Sequence, residues 1–210
     1  MSENVACNNK LQNGNFTLLR KAAAVIEPVH GVWAYDNWAE FNTRYFDGGL
    51  SVGGIVFGLT PHGHALGQYR SGQNRITLHI SMIDSDKSNA WGIGALLGVK
   101  FTLDVLLHEM IHQSVEQRQE RIAVGDTPRS YTSHNNSWWV SEINRIAPLL
   151  GLSANAAVIT QKRVGGKVQW FVPDGCMSQS ELGRWPYTAR PDGYYEAPAK
   201  ERFPHLFGDM

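Results

Sequence analysis

His108, Glu109 and His112 form a His-Glu-x-x-His run, and it lies in the segment 102–118, whose apolar residues recur at helical spacing. On a helix, side chains four residues apart point the same way, roughly 5–6 Å apart at Cβ, so two imidazoles can grip one metal ion. A catalytic zinc takes neutral imidazole nitrogens at roughly 2.0–2.1 Å, uses three protein ligands and keeps its fourth position for water. Water held there has a pKa near ~7 and can attack a carbonyl at neutral pH. Glu109, directly after the first histidine, is expected to project beside the ion rather than onto it. There a carboxylate can take the proton from that water and later hand it to a leaving amine. The expected chemistry is hydrolysis assisted by one zinc ion.

Three fixed positions make a short pattern, and an exposed histidine pair on an ordinary amphipathic helix would satisfy it too. Two features weigh against that reading. Phe101, Leu103, Val105, Leu106 and Leu107 make the preceding turns almost wholly apolar, which predicts a helix buried on most sides. Such a helix would not carry two histidines and a glutamate without a use for them. The second feature is a candidate third ligand. The longer metzincin pattern would need Gly at 115 and His at 118, where this chain has Val115 and Arg118. Glu116 and Glu120 continue the same helix, and the polar run 116–121 reads as a solvated helix end carrying surface charge. His134 follows a turn-rich loop (Gly125, Asp126, Thr127, Pro128) and comes directly before a second helical stretch, 137–150, which Asn135, Asn136 and Ser137 can cap. Glu142, inside that helix, is the competing ligand, as in gluzincins; His134 is favoured over it.

The run His108–Glu109–Met110–Ile111–His112, followed after a loop by His134 with an aromatic four residues on (Trp138), resembles the SprT-like zinc metallopeptidases, the group that includes Spartan. The upstream half is similar as well. Residues 41–50 (Phe41 to Leu50) match the family's opening helix and turn, and residues 75–80 (Arg75 to Ile80) match the strand before the active helix. The resemblance covers roughly residues 33–152. It implies that His108, His112 and His134 bind zinc, that Glu109 is catalytic, and that the substrate is protein associated with DNA. Two departures stand out. Asn135 occupies a position where the family often has Gly, and Cys7 and Cys176 are too few for the four-cysteine ribbon that ends many members.

Composition frames these expectations. A chain of 210 residues with 42% apolar and 18% charged content supports one substantial core with appendages. There is no run of eighteen apolar residues and no secretory-type leader, and two distant cysteines make no disulfide framework, so a cytoplasmic protein without membrane contact is expected. Nineteen basic and nineteen acidic residues cancel, whereas a protein that neutralises many phosphates carries an excess of Lys and Arg. At most weak association with DNA is expected. Its candidates are Lys162, Arg163 and Lys167, and Arg184, Arg190 and Arg202 interleaved with Trp185, Tyr187, Tyr194 and Tyr195. The simpler reading, which is favoured, is that these aromatics anchor a tail to the domain surface.

Along the chain, residues 1–15 are polar and Asn-rich, which predicts mobility, and 16–26 form a short helix ended by Pro28. Trp38, Phe41 and Tyr45 predict a helix over 35–46, stopped by Gly48–Gly49. Strands are predicted at 51–58, 65–70 and 75–81, and Pro148 should end or kink the second helix. Residues 157–164 and 167–172 flank Gly165–Gly166, a hairpin signal. Tyr131, three residues before His134, is a candidate oxyanion donor, His62 and His64 read as surface residues, and His79 reads as structural.

The expected fold is α+β and zincin-like: a small sheet packed on the active helix and a second helix, with a C-terminal hairpin and tail. The expected segments are an N-terminal appendage at 1–32, a metallopeptidase domain at 33–152 and a tail at 153–210. A zinc-dependent endopeptidase acting on protein or peptide is the leading function; the alternative is a non-catalytic zinc-stabilised module that binds DNA or the transcription machinery.

Overall fold

The structure, a computed structural model, describes residues 3–60, 65–83, 98–122, 134, 137–153, 160–164, 167–171 and 176–195. Helices α1 (Glu3–Ile26) and α2 (His30–Phe46) open the chain, and strands β1 (Gly54–Gly58), β2 (Gly67–Arg70) and β3 (Arg75–His79) follow. Then come the helices α3 (Val99–Ile122) and α4 (Ser137–Ile146), the strands β4 (Thr160–Val164) and β5 (Lys167–Phe171), and a one-turn helix α5 (Gln179–Leu182). The fold is α+β. By their contacts the residues divide into two compact units, 1–110 with 195–210, and 111–194, and the division falls inside α3.

In the first unit, α2 buries Ala34, Tyr35, Trp38, Phe41, Tyr45 and Phe46, a stripe at helical spacing. Asp47 and Gly48 take left-handed conformations (φ 55° and 67°) and end it, and the Gly48 N–H donates to the Asn42 carbonyl at 2.9 Å. The Asn42 side chain then pairs with both backbone groups of Leu50, at 3.0 and 3.1 Å. Tyr35 joins α2 to the sheet: its hydroxyl donates to the Gly53 carbonyl at 3.1 Å and accepts from the Ile55 N–H at 3.0 Å. The helix expected over 16–26 begins earlier, and residues 3–15 form the first half of α1. Once Phe16 has packed against Tyr35 and Trp38, with ring centroids 6.0 and 6.3 Å apart, extending the helix costs far less than nucleating it.

β3 lies at the centre of the three-stranded sheet, parallel to β1 and antiparallel to β2, in the order β1-β3-β2. Ile55, Tyr69, Ile76 and Leu78 put apolar side chains into the core, while β2 remains an edge strand. His79 is buried at the end of β3, as the sequence suggests for a structural residue. Its Nδ1 accepts from the Ser81 N–H at 3.2 Å and lies 2.7 Å from the Ser81 hydroxyl.

In the second unit, α4 buries Trp139, Val140, Glu142, Ile143 and Ile146 on one face. The α-helix gives way to a 3-10 turn, Ala147–Leu150, at Pro148, where an interior α-helical hydrogen bond would be lost. β4 and β5 pair antiparallel with Val164 opposite Lys167, so two residues connect them as the glycine pair predicts. Leu182 and Trp185 are fully buried. Ser178 and Glu181 cap α5 reciprocally, each side chain accepting the other's backbone N–H. The side chains of Lys162, Arg163 and Lys167, the loop carrying Tyr131, His62 and His64, and Arg202 lie outside the described residues.

α3 is enclosed along most of its length, as its apolar turns predict. Phe101, Thr102, Asp104, Leu106 and Leu107 are buried, and so is every residue from Glu109 to Glu116. This corrects the reading of Glu116 as surface charge: it is only 4% exposed, because burial of α3 continues past His112 through Gln113, Ser114 and Val115. The first turns of α3 also receive the last described residue of the chain. Tyr195 stands edge-on to Phe101 with centroids 5.4 Å apart, and its hydroxyl donates a short hydrogen bond to the buried Asp104 carboxylate. Among the described residues, no helix is long and apolar enough to cross a membrane.

Tyr195→Phe deletes that donor while keeping the ring, and a buried acceptor that loses a partner costs about 1–3 kcal/mol. We expect a loss of about 1–2 kcal/mol in urea unfolding, with Tyr195→Leu losing more because the contact with Phe101 goes as well.

Candidate metal centre

His108 and His112 stand one turn apart on α3, and one ligand nitrogen from each of His108, His112 and His134 falls within 4.8 Å of the others. Among the described residues this is the only group of three or more such side chains that could hold a metal ion. Within the second unit, the Nε2 atoms of His112 and His134 are 3.2 Å apart. Two nitrogens at roughly 2.0–2.1 Å from one tetrahedral ion stand about 3.3 Å from each other, so this pair has the spacing of two ligands. His112 is 6% exposed, and His108 and His134 are half-buried.

Burial sets the protonation of the third histidine. It lowers the His134 pKa from 6.5 to about 4, so the ring stays neutral, the form a metal requires. A neutral imidazole at His134, and converging nitrogens in place of scattered ones, make the donor set suitable for zinc.

Glu109 belongs with the first unit and faces β2. Gly67 is the reason it can: a Cβ at that position would lie 2.6 Å from the Glu109 Oε1 and 2.9 Å from a Val105 methyl. The strand backbone thus approaches the carboxyl group closely, and the Tyr69 N–H donates to it. Burial pushes the Glu109 pKa up to about 8, and the Tyr69 hydrogen bond opposes that only in part. A carboxyl group that exchanges its proton near neutrality is suited to general base and general acid work. A bound dication beside it would favour the ionised form.

Glu142 has a different environment. Its carboxylate accepts from the Ser114 hydroxyl at 2.7 Å, from Arg145 Nε and Nη2 at 3.0 and 2.8 Å, and pairs with Arg118 Nη1 at 3.0 Å. Burial acts to raise its pKa, but the hydrogen bonds from Arg145 and Ser114 and the two cationic charges outweigh it and hold the group below the ordinary glutamate value. Both oxygens are committed to guanidinium and hydroxyl donors, so the carboxylate is not presented as a ligand.

Sequence reasoning missed one member of the site. Trp138, the aromatic four residues after His134, is 42% exposed, whereas Trp139 is fully buried against the histidines. The His112 ring stacks on Trp139 at 4.1 Å and 26°, and the His134 ring meets it edge-on at 4.9 Å and 73°. The signal was present in the apolar spacing of α4, since Trp139, Val140, Ile143 and Ile146 share one helical face and Trp138 does not. No family model matches the chain, and no curated protein and no solved structure matches it.

The two perturbed groups give opposite pH slopes to the metal-free protein. His134 titrates at about 4 folded and near 6.5 unfolded, so its contribution is complete above pH 6.5 and is lost as pH falls toward 4. Glu109 titrates at about 8 folded and near 4.5 unfolded, so its contribution is complete below pH 4.5 and is lost as pH rises through 8. In chelator-treated protein, His134→Gln should flatten the acid-side loss of denaturation midpoint, and Glu109→Gln should flatten the alkaline-side loss. Unchanged slopes in both variants would contradict these environments.

Proposed function

We propose that the protein is a zinc-dependent endopeptidase of SprT-like type, in which His108, His112 and His134 hold the ion and Glu109 is the catalytic acid–base. The observation that carries the reading is the convergence of three histidines from α3 and the turn before α4, with a glutamate next to the first of them. Chance would supply the short motif on many helices; it would not also bring a third imidazole, 22 residues on from His112, to 3.2 Å from its Nε2.

Zinc in such a donor set lowers the pKa of bound water and polarises a carbonyl oxygen. The chain's own residues supply the remainder. To take a proton from water Glu109 must be ionised, the form a bound dication would favour; once protonated, its buried setting favours keeping the proton until it is delivered to the amine that leaves. Gly67 leaves the carboxyl group room to lie against β2. The outer edge of β2 supports a peptide as substrate. Leu66 is turned toward β3, where its carbonyl accepts from the His79 N–H, so by alternation Gly67 turns its backbone groups to the other side, the side on which the Tyr69 N–H donates to Glu109. An extended chain can add to such an edge as a further strand, with its scissile bond next to Glu109. The equal numbers of basic and acidic residues favour a protein or peptide substrate over tight DNA binding.

Glu109→Gln should abolish digestion of casein or histone while bound zinc stays near one equivalent. His134→Ala should lower zinc content sharply, whereas Glu142→Ala should leave it near one and lower stability instead, by roughly 1–3 kcal/mol since both arginines reach solvent. If the wild type shifts DNA and leaves every protein substrate intact, with and without chelator, the chain is a zinc-stabilised binding module and the peptidase reading is wrong.

A further inference from the structure

We propose that Trp139 is a positioning residue of the metal centre: its indole holds the His112 and His134 rings in the planes from which their Nε2 atoms converge, and it favours the metal-loaded state over the empty one. The inference rests on reading the three histidines as one metal site, and it assigns a part to a side chain that touches neither ion nor substrate.

The geometry carries it. An imidazole turns about a broad, roughly two-fold torsion, so a histidine backbone position alone does not aim its nitrogen. His112 and His134 come from different elements, α3 and the turn before α4, and no shared helix fixes one ring relative to the other. Trp139, in the first turn of α4 and 0% exposed, touches both. One ring lies along the indole face and the other presents itself at 73°, and the two imidazoles are set 57° apart with their centroids at 4.9 Å. These are the stacked and edge-to-face arrangements that aromatic quadrupoles prefer. The residue that orients His134 is therefore also the residue against which His112 rests.

Stacking also discriminates between the two states of the site. A neutral imidazole over an indole gains the ordinary aromatic contact. An imidazole that has given its lone pair to a dication carries part of the positive charge, and an indole face is the best aromatic partner for a cation. Truncating the indole should thus weaken metal binding beyond what loss of packing explains. Groups that orient metal-bound histidines typically change affinity by roughly 10–100-fold when removed.

The test uses the full chain, stripped with chelator and reloaded. Zinc affinity is measured by competition with a chromophoric chelator, the ligand field is read from the visible spectrum of the cobalt(II) form, and the rise in melting temperature on adding zinc is measured for each protein. Trp139→Leu should weaken zinc binding by roughly 10–100-fold, Trp139→Phe by less, and both should alter the cobalt spectrum and shrink the zinc-induced rise in melting temperature. A purely structural role would lower the melting temperature of empty and loaded protein equally and leave affinity and spectrum as in the wild type, and that result would overturn the proposal. If Trp139→Leu does not fold, Trp139→Phe decides: wild-type affinity and spectrum in the folded variant would overturn the proposal. A wild type that takes up neither zinc nor cobalt would overturn the metal centre itself, a different outcome from unchanged affinity in the variants.

Discussion

Enclosure of α3 is the constraint on which the structure turns. A helix buried from Glu109 to Glu116 has no solvent in which to hydrate its polar side chains, so each must be neutral, paired or hydrogen-bonded. His112 lies against Trp139 and within reach of His134, Glu109 lies against the backbone of β2, and Ser114 donates to Glu142. Polar chemistry and tertiary structure are thus the same set of contacts. In the first unit the backbone of β2 meets Glu109, and in the second α4 meets His112 through Trp139 and Ser114 through Glu142.

Two buried glutamates show how neighbours decide what a carboxyl group can do. Glu109 meets one backbone N–H and apolar surroundings, and desolvation dominates, keeping its proton near neutral pH. Glu142 is 3% exposed, about as buried, but two guanidinium groups and a hydroxyl keep it charged. The first is fit to move a proton and the second to hold helices together. A carboxylate already saturated by two arginines has little left to offer a cation, and the imidazole of His134 faces that role without competition from it.

Much of this was legible in the sequence because the signals were periodic or punctuated. Trp38, Phe41 and Tyr45 marked α2, the turn at 71–74 separated β2 from β3, Gly165–Gly166 marked the hairpin, and Pro148 marked the end of α4. The positions of His108, Glu109 and His112 followed from helical geometry alone. What failed depended on partners distant in the chain. The helix read over 16–26 starts at Glu3 instead, because nothing local shows that Phe16 will seat on α2. Glu116 read as solvated because local polarity says nothing of how far the burial of α3 runs. Trp139 was passed over for its neighbour because spacing from His134 was weighed and the helical face of α4 was not. The closeness of β2 to Glu109 depends on a residue with no side chain, and an isolated Gly in a strand does not say what approaches it.

The hydrogen bond from Tyr195 to Asp104 spans 91 positions of the chain, and Tyr195 belongs to the same compact unit as the first 110 residues. On the ribosome, where chains grow at roughly 5–20 residues per second, α3 therefore emerges some 5–20 s before the phenol that Asp104 binds. The first unit cannot be finished in the order in which it is made. Its assembly waits for the second to be translated, and the early turns of α3 are among the last parts of the molecule to receive their full set of neighbours.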